Sequence, residues 1–255
     1  MRRVVLTLVL LLLPAGALVA QDLLQYRATA DTLSYLSDNA YLLYFVRGPD
    51  TLGQPVATRT RESQVISTSP SGLAVWVRLQ GLDAPFTRSD QYAVSSGGRV
   101  IAANGTPIAR AANARIDLFP RLPSVSVRVG DSWEDTVSIR NTESYGPSYY
   151  NVRRTYRFSR LLDSAGTRLA VLVGAGTMRL RQGGWQDSTQ GVVWWQEVAG
   201  PVADTVWFDV RAGQLLADVT AMDLVGRGAV GPVGGPPMMP TGLRSTVRRH
   251  REPHN

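Results

Sequence analysis

Apolar and polar residues alternate with a period of two along most of the chain from Asp22 onward. Leu73, Val75, Val77 and Leu79 are interleaved with Ala74, Trp76, Arg78 and Gln80, and Val125, Val127 and Val129 with Ser126 and Arg128. Tyr156 and Phe158 flank Arg157, and Met178 and Leu180 flank Arg179. Leu215, Ala217, Val219 and Ala221 form an apolar row against Asp218 and Thr220. Successive side chains of a strand point to opposite faces, so each segment predicts a strand with one apolar and one polar side. No segment carries a helical period; Arg110 to Arg115 is long enough for a single turn.

The connections match that reading. Ser95-Ser96-Gly97-Gly98, Asn104-Gly105, Asp163-Ser164-Ala165-Gly166 and Arg211-Ala212-Gly213-Gln214 are turn sequences between strand-like runs. Turns this closely spaced indicate consecutive antiparallel hairpins rather than βαβ units. The expected fold is all-β: an antiparallel meander of about ten or more strands, forming a barrel, a half-barrel or a two-layer sheet. The proline-containing stretch Phe119 to Pro123 divides it into possible halves, 21–123 and 124–225, of one domain. Residues 226–255 are rich in Gly and Pro, then in Arg, and are expected to be a flexible, disordered tail, with a final strand possible around Leu243 to Val247.

The N-terminus supplies a compartment. Arg2 and Arg3 precede an apolar run, Val4 to Leu13, then Pro14 and small residues through Ala20. This is the pattern of a secretory signal peptide over 1–20, and the run is shorter than the about 20 residues that span a bilayer. The mature chain is expected to be periplasmic or extracellular and not to span a membrane. With no cysteine it has neither disulfides nor a lipidation site.

The formal net charge of +7 raises the question of nucleic acid as a partner. All 27 basic residues are arginine, and Arg2 and Arg3 leave with the signal, so that +5 remains. Arg244, Arg248, Arg249 and Arg251 lie near the C-terminus. No basic stripe interleaved with aromatics appears, and no nucleic-acid partner is expected.

Most catalytic chemistry lacks its residues. Both histidines, His250 and His254, fall in the expected tail, and there is no lysine or thiol. Triads, zinc sites and Walker-type phosphate loops therefore find no home in the folded body. Gly174-Ala175-Gly176 has no third glycine and reads as a kinked strand. No catalytic residue, cofactor or metal ligand is expected. Among carboxylates, Asp131, Glu134 and Asp135 surround Trp133, and Glu197 follows Trp194 and Trp195. Glu134 with Glu197 is the one pairing to consider for a glycosidase, which needs its carboxyls about 5–10 Å apart. The competing reading makes Gly130-Asp131 a turn and Trp133 a core residue.

The tryptophans are the candidate ligand contacts. Trp194 and Trp195 are adjacent and must take opposite faces of a strand. Trp76 and Trp207 stand opposite the first apolar rows. Trp76, Trp194, Trp195 and Trp207 thus either sit between covered faces or line a groove for a lipid or other apolar ligand.

Pro123-Ser124-Val125-Ser126-Val127-Arg128-Val129-Gly130-Asp131-Ser132-Trp133 resembles an element of uncharacterised exported bacterial β domains, in which a proline-led strand ends in V-G-D-S/T-W. The resemblance implies an envelope location and an all-β fold, and it brings no catalytic residues. The expected architecture is also similar to that of periplasmic lipid-carrier half-barrels. Two roles follow as expectations: a non-catalytic binding module for a lipid or apolar ligand, or a structural or interaction module of the envelope.

Overall fold

In a computed structural model of the chain, the described residues are 22–47, 49–108, 118–143, 146–164, 166–232 and 238–253. The expected signal peptide and the Arg110–Arg115 turn lie outside them.

The period-two segments pair into two meanders. The first runs through β1 (Leu33–Arg47), β2 (Asp50–Ser69), β3 (Gly72–Gly81), β4 (Thr87–Val94), β5 (Val100–Ala103) and β6 (Thr106–Pro107). The second comprises β7 (Ser132–Glu143), β8 (Gly146–Ser164), β9 (Thr167–Asp187), β10 (Val192–Asp209), β11 (Gln214–Pro232) and β12 (Met239–Arg251). β12 pairs antiparallel with β1, which joins both meanders into one 12-stranded sheet with β6 and β7 at its edges. The sheet is all-antiparallel and open among the described residues. No helix among them is long and apolar enough to cross a membrane.

All four turn sequences join strands. Asn104 and Gly105, for example, adopt φ of 49° and 76° between β5 and β6, the left-handed geometry a two-residue hairpin requires.

Two expectations are overturned. Residues 239–251 are not a flexible tail but the strand that links the meanders, and residues 226–232 extend β11. Composition misled because β12 is rich in arginine, with few apolar residues such as Leu243 and Val247, and one of its two partners, β1, is far from it in sequence. His250 accordingly lies in the sheet, on its outer surface. The second is the strand over Val125–Val129. Val127 makes a single bridge to Asp22 and is buried, whereas Val125 and Val129 are 65% and 50% exposed. The segment crosses the end of the sheet with no long strand beside it, so only one of its valines finds cover.

The sheet curls around its core. Laid flat, β4 and β8 would stand about 40 Å apart at the usual inter-strand spacing. Instead Val75, Tyr92, Phe158, Leu172 and Phe208 share one cluster. The segments 22–32 and 118–130 fill the space between them. Leu24, Tyr26, Leu118 and Phe119 are fully or almost fully buried there, and Tyr26 meets Phe119 and Phe208 at ring distances of 4.7 and 5.2 Å. Glycines permit the curl: a Cβ on Gly176 would strike the β8 backbone, and one on Gly226 the β10 backbone. A second, smaller cluster, Val152, Met178, Val198, Val202 and Leu224, lies further along the same inner face.

Candidate functional site

Between the two apolar clusters the inner face changes character. On β10 the inward row runs Phe208, Val206, Asp204, Val202, so one carboxylate stands among apolar neighbours. The facing row of β11 is polar for a reason absent from the sequence pattern. A bulge at Leu216 shifts the register, so Trp207 faces Ala217 while Phe208 faces Leu215. Leu215 is buried, and beyond it Asp218, Thr220 and Met222 take the inner face. The apolar row Ala217, Val219, Ala221 expected to face the core is therefore turned outward.

Two buried arginines organise this belt. Arg154 of β8 donates through Nη2 to Asp135 of β7 at 2.8 Å and through Nη1 to Asp204 of β10 at 3.1 Å. It reaches over β9 because Gly174 and Gly176 present no side chain; a Cβ on Gly174 would lie 2.6 Å from the Tyr156 ring and 3.1 Å from Asp204 Oδ2. The Gly-Ala-Gly sequence is thus a window through which β8 and β10 touch. Tyr156 and Thr220 also donate to Asp204, the latter at 2.7 Å. Arg249 of β12 donates to Asp218 Oδ1 at 2.7 Å and to the Leu118 carbonyl at 3.0 Å, and lies 3.8 Å from Glu62 of β2. Its guanidinium stands 5.7 Å from the centre of the Tyr35 ring.

Electrostatics follow burial. Burial works against the charges of Arg154 and Arg249, and their acidic and tyrosine neighbours more than offset it, so both stay protonated. Burial raises the Asp204 carboxyl above its ordinary value, against the opposing pull of Arg154 and Thr220. Tyr156 and Tyr35 are likewise raised by burial and remain neutral phenols near neutral pH.

The belt opens onto a cleft of about 340 Å³. Phe119 and Pro120 line it together with Met178, Val202, Met222 and Val247, and its polar groups include Ser37, Asn39, Thr60, Glu62, Asp204, Asp218, Thr220 and the two arginines. A pocket of this kind, apolar walls with a few convergent polar groups, is the usual form of a small-molecule site. No protein-family model and no curated protein matches the chain. The site is read from its own chemistry.

None of the four tryptophans singled out above lines this cleft. Trp194 and Trp195 do take opposite faces: Trp194 points inward over Gly184, and Trp195 outward beneath Arg181, whose guanidinium is 4.6 Å from its ring. Trp76 is 53% exposed on the outer face. Trp207 borders a shallow outer hollow with Val219, Arg248 and His250. Strand alternation located their faces and could not tell that the inner one carries the cleft.

The pairing of Glu134 with Glu197 is not assembled. The register carries Glu134 through Thr155 and Ala175 to Ala203, six residues from Glu197 on β10. That places them about 14 Å apart across the sheet and about 20 Å along it, well beyond glycosidase geometry. Glu134 pairs with Arg153, and Glu197 with Tyr149, Arg179 and Arg227. Asp131 accepts from the Arg128 amide at 3.0 Å in the Gly130 turn, and Trp133 packs on the main core with its indole N–H on the Arg121 carbonyl. Among the described residues no group of three His, Cys, Asp or Glu is placed to hold a metal.

Sequence reasoning missed Arg154, Arg249, Glu62, Asp204 and Asp218. The available signal was charge on rows otherwise apolar: Asp204 falls in phase with Val202, Val206 and Phe208.

Proposed function

We propose that the protein is a non-catalytic binding protein of the cell envelope, exported by residues 1–20, in which a half-barrel holds an amphiphilic ligand on its inner face. The observation that carries this reading is the cleft itself, where apolar walls from both clusters meet a buried, hydrogen-bonded belt of charge. Apolar walls favour a hydrocarbon or ring system; the belt orients a polar head. The decisive experiment is native mass spectrometry with organic extraction on mature protein purified from its own cell envelope. A reproducible adduct that extracts with apolar solvent is the expected result. A clean apoprotein mass from several preparations would count against the reading.

A structural or interaction role has its own support on the opposite surface. Arg153, Arg179, Arg227 and Arg244 are more than half exposed on the outer face, and Val225 is 59% exposed beside them. Cross-linking in the intact envelope that captures one reproducible protein partner through this face would favour it.

A further inference from the structure

The charge balance of the belt narrows the ligand. Arg154 is shared by Asp135 and Asp204, and Arg249 by Asp218 and Glu62, so four carboxyls surround two guanidinium groups. Arg121, mostly buried, approaches Asp135 only at 3.9 Å and leaves the acids in excess. Both arginines are committed to protein acceptors, so an anionic head would have to compete with carboxylates already seated. Arg154 Nε is buried without an acceptor among the described residues, and unused acceptors remain as well. Asp218 accepts from Arg249 through Oδ1, while Oδ2 receives no hydrogen bond from the described residues. Asp135 Oδ1 is buried without a hydrogen-bond donor among the described residues. Asp204 lies directly across from Thr220 and is the diagonal neighbour of Asp218 on the adjacent strand, a spacing of about 7–8 Å between backbones. The two carboxylates are near enough for Asp218 to help raise the Asp204 carboxyl, and a cation between them would take charged hydrogen bonds of about 2.8 Å.

We propose, resting on the binding role above, that the cleft selects an amphiphile with a cationic, amine-type head seated between Asp204 and Asp218 and its apolar body against Met178, Val202 and Met222. The burial that raises the Asp204 carboxyl works in the same direction, because an adjacent cation relieves the cost of a desolvated negative charge. Thr220 and Thr60 add neutral acceptors around the head.

The test is isothermal calorimetry of the delipidated mature protein with decylamine, decanol and decanoate near neutral pH. The three carry ten carbons each and differ in their polar head, which is cationic, neutral or anionic. The amine is expected to bind about tenfold or more tighter than the alcohol, as suits a charge-assisted hydrogen bond, with decanoate weakest. Asp218→Asn should remove the amine's advantage over the alcohol. Equal affinity of amine and alcohol, or tightest binding of decanoate, overturns the cationic head while leaving the binding role intact. Silence from all three overturns the cationic head, and joined to a clean apoprotein mass from the envelope it overturns the binding role as well. The head-group comparison needs no variant, so it stands even if Asp218→Asn fails to fold.

Discussion

Arg154 and Arg249 illustrate how a charge is kept inside a β sheet. Arg154 has 8% of its side-chain surface exposed and Arg249 4%, and each has two carboxylates within reach. Removing one member strands the others: Arg154→Met should destabilise the fold by about 3–5 kcal/mol, because Asp135 and Asp204 would remain buried and unpaired. Urea denaturation measures it. The triple variant that also carries Asp135→Asn and Asp204→Asn should recover a large part of the loss, whereas no recovery would mean that Arg154 acts mainly by packing. On the outer face Glu197 behaves differently. Hydrogen bonds from Tyr149 and Arg179 lower its carboxyl from the ordinary 4.5 to about 2. A carboxyl whose folded pKa lies below its unfolded one stabilises above the unfolded value and loses that contribution as pH falls. Wild-type stability should therefore drop between about pH 4.5 and pH 2, and Glu197→Gln should flatten that part of the urea-midpoint profile. An unchanged slope would sever Glu197 from acid unfolding.

Among the elements, β12 and β9 hold the sheet to its shape. β12 has hydrogen-bonded neighbours on both sides, β1 and β11, and carries Arg249 into the core. Ending the chain after Pro232 removes the strand that joins the two meanders into one sheet, so the truncated protein should lose its cooperative thermal transition. A normal transition by circular dichroism would show that 239–251 is dispensable. β9 contributes by absence, since Gly174 leaves room for Tyr156 and Asp204. Gly174→Val would force both aside; overpacking of this kind costs about 1–3 kcal/mol. The cleft should suffer more than the fold, so ligand retention is the sensitive readout and the urea midpoint the control.

For the whole molecule, the curled sheet leaves a cleft of about 340 Å³ on its inner face. A ligand that binds only the folded state adds stability by mass action, about 2.7 kcal/mol at a hundredfold excess over Kd. For a chain of this size that corresponds to a rise in Tm of roughly 5–10 °C. Extraction of an endogenous ligand should lower Tm by that order and re-addition should restore it, as differential scanning calorimetry would show. Equal Tm values before and after extraction would detach the cleft from any ligand.

Periodicity and turn chemistry determined the all-β class, the antiparallel meander and several hairpins, because both are local properties: alternation of Leu73 to Leu79 or of Tyr156 and Phe158 needs only a strand, and Asn104-Gly105 needs only its own backbone. The same alternation assigned Trp194 and Trp195 to opposite faces. Tertiary structure alone decided which face is inner, and with it where a site lies. Arg154 meets Asp204 across a strand of glycines, Arg249 meets Glu62 by joining the last strand to the first, and one bulge at Leu216 turns Asp218 and Thr220 inward. Each depends on register or on contacts between residues distant in sequence, and a two-residue period carries no information about either.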